Sequence, residues 1–313
     1  MNDYHWFADE VGEVNWKAKC EYDREFVEQL YSRLLHSHEE FTHGTPKLNL
    51  LISVSGGLDS SVVTWCMIDM VRESVKTGRS QGTDIALVNF ASAESNHAEE
   101  FYTITKRKHP DIPMHFFPID IKPHSQRLEK YIDNVQQRIN TRLSPHRLLS
   151  ARLRDTILLE MEERLGYCWV DTLNMTEYIL GEFTTGPWAY HLPVFNFYKS
   201  VLYDIARLVD LPEWVRTRRP VNGATGRDKI ADYFGEVPSA LTPEDVFKVL
   251  DPVLYRIYVR GYSSERVAEE LGHSKTFTKR VEDWIKWQKY KQTYQPDASL
   301  SQQFESQLLR MSK

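Results

Sequence analysis

The sequence predicts an α/β protein, a doubly wound parallel sheet with a helical C-terminal extension. Three observations carry that reading. Apolar runs of strand length alternate with stretches whose apolar residues recur at helical spacing, the pattern of successive βαβ units. The first of these runs ends in a glycine pair, SGGLDS at 55–60, directly before helical spacing begins. From Thr242 onward the chain carries only helical periodicity.

Taken in order, residues 25–35 place Phe26, Leu30, Tyr31 and Leu34 on one helical face as a lead-in helix. A first strand is expected at 48–54, where the run is largely apolar with no proline and no charge, as a strand buried on both faces requires. Helical spacing follows over 62–71. The alternation continues with strands at 85–90 and 114–121 and helices at 95–108 and 124–139. Ser144 and Pro145 read as N-cap and first-turn proline of a long helix through Arg164, closed by Gly166. Then come a buried strand at 167–172, a short helix beginning MTEYILGE, and an amphipathic helix at 199–211 stopped by Pro212. The pattern breaks between Arg216 and Gly235 into a polar, glycine-containing loop, with 217–230 too long for a simple connection; long loops in compact domains are often lids or disordered segments. Helices are expected at 243–260, 264–272 and 275–293. The division this gives is a lead-in at 1–22, an α/β domain at 23–240, a helical region packed on it at 241–295, and a polar tail at 296–313.

At 313 residues the chain can bury a large core, and 41% hydrophobic content is that of a folded globular protein. Its net charge of −5 provides no general attraction to nucleic acid or anionic membrane, so any phosphate binding must be local. Cys20, Cys66 and Cys168 lie far apart and form no CxxC pair, which argues against a disulfide framework or a zinc site and for a reducing cytoplasm. The N-terminus lacks a basic and apolar leader pattern, and no run approaches eighteen apolar residues, so neither secretion nor a membrane span is expected.

A glycine pair after a buried strand lets the backbone turn tightly and present N–H groups to an anion, and the helix start adds partial positive charge. The loop is not GxxxxGK[ST], and it is not GxGxxG. Ser55, Gly56, Gly57 and Ser60 offer hydroxyls and amides to phosphate oxygens. Asp59 would repel polyphosphate unless Mg²⁺ lay between them, so the loop points to a metal-bridged nucleotide. The plainer reading is a strand-to-helix turn with a Ser/Asp cap.

The string SGGLDS resembles the pyrophosphate loop of the N-type ATP pyrophosphatases, enzymes of the adenine nucleotide alpha-hydrolase-like fold. Residues 150–186, SARLRDTILLEMEERLGYCWVDTLNMTEYILGEFTTG, further resemble the segment of ammonia-dependent NAD synthetases that runs from an ARxRM helix through an N-x-S-E turn. PVFNFYKSVLYDIARLVDLPEWV (193–215), DYFG (232–235) and VEDWIKWQKYKQ (281–292) are similar to later segments of that family. The resemblance implies ATP or pyrophosphate contacts at Ser53, Ser55, Gly56, Gly57, Asp59, Ser60, Thr172 and Lys199, with Asp59 and Lys199 catalytic. It implies Mg²⁺ ligands at Asp59 and Glu177, and substrate contacts at Arg152, Tyr290 and Lys291. Taken singly, Glu177 reads equally as first-turn helix charge, Arg152 as a solvated helix face and Lys199 as a surface lysine.

The implied reaction is adenylation of the deamido-NAD carboxylate by ATP, followed by ammonia transfer to give NAD, AMP and pyrophosphate. Free ammonia, or ammonia from a separate protein, is the implied nitrogen source, and a homodimer is the implied assembly. Departures from the family concentrate on the acid side, at Thr185, Tyr190 and Tyr290, while Val221 stands where the family has a threonine that contacts ATP; together they leave a different carboxylic acid as the alternative substrate. A tRNA-modifying relative is a further alternative, but the cysteine pairs and basic patch expected of one are not visible in this sequence. Residues 263–287 have the outline of a helix-turn-helix, but interleaved acids leave no clean basic face, so packing on the ATP domain is preferred to DNA binding. Val221 leaves open a catalytically dead protein that still binds ATP.

Overall fold

The computed structural model describes residues 28, 31–32, 49–78, 83–90, 97–139, 149–186, 189, 191–218 and 242–293. Four parallel strands, β1 (Asn49–Ser53), β2 (Ile85–Asn89), β3 (Met114–Pro118) and β4 (Tyr167–Val170), lie in the order β3-β2-β1-β4. The chain moves outward from β1 to β3 and then returns to the far side of β1. The order therefore reverses between β1 and β4, where open α/β sheets place their ligands.

Side chains of a strand alternate between faces. Leu50 and Ile52 of β1, Ile85 and Leu87 of β2, and Val170 of β4 enter one core; Leu51, Ala86, Val88 and Trp169 enter the other. The first core is covered by α1 (Leu58–Lys76), α6 (Lys199–Leu208) and α8 (Pro243–Leu254), and the second by α4 (Leu149–Leu165) through Leu158 and Met161. Helices thus cover both faces, as the uninterrupted apolar strands require.

The remaining elements are α2 (His97–Lys108), α3 (Lys122–Ile139), α5 (Met175–Leu180), α7 (Glu213–Thr217), α9 (Ser264–Leu271) and α10 (Lys275–Thr293). Glu28, Tyr31 and Ser32 are helical, in the expected lead-in, and the Tyr31 hydroxyl donates to Asp69 of α1.

Several boundaries differ from expectation. β3 stops at Pro118 rather than residue 121: it is an edge strand that buries only Met114, and the Ile119 amide still donates to the Asn89 carbonyl at 2.7 Å just past its end, so Pro118, whose nitrogen faces the open edge, costs the ladder no bond. The first helix begins at Leu58, four residues early, since the loop's own Gly57 serves as its N-cap. α6 ends at Leu208 because Asp210 turns left-handed, with φ 52°, and Leu211 N–H returns to the Ala206 carbonyl. The helix expected over 243–260 becomes α-helix to Leu254 and then a π-helical turn at Tyr255–Val259. Residues 144–148 at the expected start of the long helix, and DYFG at 232–235, lie outside the described residues.

The C-terminal helices pack on the sheet-bearing part of the chain. Val267, Ala268 and Val281 are buried between α9 and α10. Trp284 Nε1 donates to Leu180 O at 3.0 Å and Gln292 Nε2 to Tyr178 O and Ile179 O at 3.3 Å, so α10 closes the C-terminal end of α5. No helix among the described residues is long and apolar enough to cross a membrane.

Candidate active site

The loop after β1 is tied by its own serines. The Gly57 amide donates to Ser55 Oγ and the Ser55 amide to Ser60 Oγ, both at 3.2 Å, while Ser60 Oγ donates to the Gly57 carbonyl at 3.2 Å. Gly56 takes φ +71°, and a Cβ there would lie 2.7 Å from the His97 carbonyl carbon and 2.9 Å from the Ala98 nitrogen. Only glycine permits both that backbone angle and the contact with the start of α2. From the far side, Arg218 Nη1 reaches the Ser55 carbonyl at 3.4 Å, which places an arginine beside the loop.

Asp59 sits in the first turn of α1, following β1, and Glu177 in the first turn of α5, following the adjacent strand β4. Both therefore reach the crevice where the strand order reverses. The Lys199 ammonium lies between them, donating to Asp59 Oδ2 at 2.8 Å and Glu177 Oε1 at 3.1 Å. Lys199 is 4% exposed. Burial works against its charge, but the two carboxylates outweigh that effect and hold its pKa above the ordinary lysine value, so it stays protonated.

Asn174 completes the cluster. Its side chain caps α5 by accepting from the Glu177 amide at 3.0 Å, and its Nδ2 donates to Asp59 Oδ1 at 2.9 Å. One residue thus aligns both acids, and the N-x-x-E spacing of NMTE is the legible signal for it. Thr172 lies in the β4–α5 connection, where its amide donates to Asp171 Oδ1 at 2.6 Å. Burial pushes the Asp171 carboxyl up to about 6, with Asp155 and Glu177 acting in the same direction. Sequence reasoning passed over Asp171, Asn174 and Arg218.

The expected acid-side residues gather separately. Arg152, exposed on α4, donates through Nη2 to Thr185 Oγ1 at 3.3 Å. Lys291, buried on α10, donates to the Gly181 carbonyl at 2.5 Å and the Phe183 carbonyl at 3.3 Å, so its ammonium holds the turn leaving α5. Burial lowers its pKa, Glu182 opposes this, and Arg152 adds to it. Tyr190, Val221 and most of the 217–230 loop are outside the described residues, as is the side chain of Tyr290.

Among the described residues no group of three or more His, Cys, Asp or Glu side chains forms a metal cage. Two carboxylates flanking one ammonium carry a net charge of −1. Such a pair fits Mg²⁺, which is commonly held by one or two carboxylates together with substrate phosphates rather than by an all-protein cage.

The family model described as NAD synthase matches residues 32–295. The NH3-dependent NAD+ synthetase of Pyrococcus furiosus is 24% identical over 268 residues, covering 84% of this chain and 91% of that protein. Among solved structures, the NMN synthetase of Francisella tularensis matches with a TM-score of 0.56 at 19% identity, covering 87% of this chain and 96% of the other. The NH3-dependent NAD synthetase of Campylobacter jejuni matches with a TM-score of 0.57 at 15% identity, covering 87% and 98%. At these identities the two structures speak for the fold.

Proposed function

The chain belongs to the NAD synthase family, and from that membership we propose that it is an ammonia-dependent ligase: with ATP and Mg²⁺ it adenylates the carboxylate of deamido-NAD, and ammonia displaces AMP to give NAD. The observation that carries the reading is the buried bridge of Lys199 between Asp59 and Glu177 at the mouth of the serine-glycine loop.

The roles follow from position. Ser55, Gly56, Gly57 and Ser60, with Ser53 at the end of β1, cradle the departing pyrophosphate, while Thr172 contacts ATP from β4's side of the crevice. Asp59 and Glu177 would hold Mg²⁺, which supplies neutralisation of phosphate charge. Lys199 meets charge that develops on the phosphoryl oxygens, and Asn174 keeps the two acids aligned. Arg152, Lys291 and Tyr290 are assigned to the acid side. The protein supplies no nucleophile in this scheme: the substrate carboxylate attacks the α-phosphorus, pyrophosphate leaves, and ammonia attacks the acyl carbon. Catalysis is then positioning and charge neutralisation.

The working unit in this reading is an α/β part at 23–240 with the helices of 241–295 closed on it, flanked by 1–22 and 296–313. A homodimer is supported by α3, which exposes Leu128, Tyr131, Ile132 and Val135 at i, i+3, i+4 and i+7. A cytoplasmic location is supported by Cys66 and Cys168, both free thiols.

The test incubates the protein with ATP, Mg²⁺ and ammonium, with and without deamido-NAD, and follows AMP, pyrophosphate and NAD. NAD formation stoichiometric with AMP is expected. Pyrophosphate release no faster with deamido-NAD than without it would defeat the assignment of the acid.

A further inference from the structure

Lys199 is the first residue of α6, and the preceding Tyr198 makes no side-chain cap for the helix. The first N–H groups of a helix have no partner within it. Here they are met from elsewhere in the fold. The Lys199 amide donates to Thr176 Oγ1 at 2.9 Å, and the Ser200 amide donates to Asp251 Oδ2 at 2.8 Å. The Thr176 hydroxyl in turn donates to Asp251 Oδ1 at 2.7 Å. Asp251, on α8, therefore caps a helix that begins some fifty residues before it, partly through a threonine adjacent to Glu177. Asp251, Thr176 and Ser200 are each 0% exposed.

The same face of α8 reaches the lysine a second time. Phe247 lies one helical turn before Asp251, and the Lys199 ammonium sits 5.4 Å from its ring centroid. Phe247 packs against Tyr203 of α6, with ring centroids 6.2 Å apart. A lysine has a flexible four-carbon stem, so the place of its ammonium depends on where its backbone begins and on what lines its path.

We propose that Asp251 is a positioning residue for Lys199: with Thr176 it fixes the first turn of α6 so that the ammonium enters the gap between Asp59 and Glu177. The proposal rests on the reading that Lys199 contacts ATP. It gives the helices after 242 a task in the reaction beyond packing, since a carboxylate at a helix N-terminus is favoured there by the helix dipole as well as by its hydrogen bonds.

Three variants test it, each checked for folding by circular dichroism. Asp251→Asn keeps the shape but turns one acceptor into a donor. Thr176→Val removes the bridging hydroxyl, and Thr176→Ser retains it. The first readout is Mg·ATP affinity by calorimetry, which does not depend on which acid is activated. Asp251→Asn and Thr176→Val are expected to weaken it at least about tenfold and to lower kcat/KM for ATP by about 10- to 100-fold, while KM for deamido-NAD moves less than about threefold. Thr176→Ser is expected to stay within about threefold of wild type.

The second readout is a double-mutant cycle with Lys199→Met. If Asp251 acts through Lys199, Asp251→Asn adds no further loss in that background. Losses that multiply would overturn the positioning role and leave the ATP role of Lys199 standing. Wild-type Mg·ATP affinity in Lys199→Met alone would remove both. Absence of deamido-NAD-dependent turnover in wild type would strike only the choice of acid, because the affinity cycle is still read.

Discussion

Lys199 and Asp59 form a nearly buried ion pair at 2.8 Å across 140 residues of sequence, and the same ammonium reaches Glu177 at 3.1 Å. One cation is thus held between the two carboxylates assigned to Mg²⁺. Two unit charges about 4 Å apart interact by about 4 kcal/mol at an effective dielectric near 20, so Lys199 and a divalent ion compete for the same field. Lys199→Met is expected to bind Mn²⁺ in the absence of nucleotide at least about tenfold more tightly than wild type while its turnover collapses. Mn²⁺ titration followed by electron paramagnetic resonance reads the first effect. Unchanged Mn²⁺ affinity would mean that the ion sits elsewhere.

Asp59→Ala and Glu177→Ala are each expected to lower Mg²⁺-dependent turnover by about 100-fold or more with the fold retained. In both variants Lys199 keeps one carboxylate partner, which limits the cost of leaving a buried charge unpaired. Steady-state AMP formation and far-ultraviolet circular dichroism check the two halves of this statement. Wild-type rates in either variant would show that the ion is held by other groups.

Gly56→Ala tests the loop. An L side chain at φ +71° is strained, and its Cβ would press on the backbone of His97 and Ala98, which cannot swing away as a side-chain tip could. Left-handed strain alone costs about 1 to 2 kcal/mol, so a lower Tm together with a raised KM for ATP is expected. Calorimetric melting and ATP kinetics measure both, and an unchanged Tm would contradict the close approach of the loop to α2.

The pH dependence of stability is set in part by Asp204 of α6. It is buried, and its Oδ1 accepts from Arg207, whereas its Oδ2 is without a hydrogen-bond partner. Burial pushes its carboxyl up to about 6 against the lowering influence of Arg207 and Lys248. A folded-state pKa above the unfolded value means that the fold binds the extra proton. The stabilisation it contributes is therefore present below about pH 4 and is lost as pH rises through about 6, amounting to about 3 kcal/mol at most. Asp204→Asn removes this titration. Relative to wild type the variant is expected to gain stability between pH 4 and pH 7, as read by urea unfolding at each pH. A constant difference across that range would place the carboxyl in a solvated setting.

The α3 stripe makes a prediction of a different kind. Ile132→Glu puts a charge in the middle of Leu128, Tyr131 and Val135, so sedimentation equilibrium is expected to show a dimer for wild type and a monomer for the variant. A dimer that survives the substitution would move the interface away from α3.

The parts of the site legible in the sequence are those encoded locally. SGGLDS after LLISV states its own turn, because two glycines, a following helix and a buried strand are neighbours along the chain. Lys199 and Glu177 carried no such local mark, and their place came from resemblance to other sequences. Asn174 had a readable cap spacing, yet its bond to Asp59 spans 115 residues. Asp251 lay in an ordinary amphipathic helix, where a carboxylate on the buried side becomes meaningful only once α6 begins beneath it.

By itself the sequence determined the strand and helix alternation, the glycine loop and the negative charge of its aspartate, because backbone angles, periodicity and side-chain charge are properties of neighbouring residues. Only the tertiary structure decided that Lys199 stands between Asp59 and Glu177, that α6 is capped by Asp251 and Thr176, and that Lys291 holds the turn after α5. Those relations depend on strand order and helix packing: the return of β4 to the side of β1 brings two helix starts together, and α8 then seats the lysine that joins them.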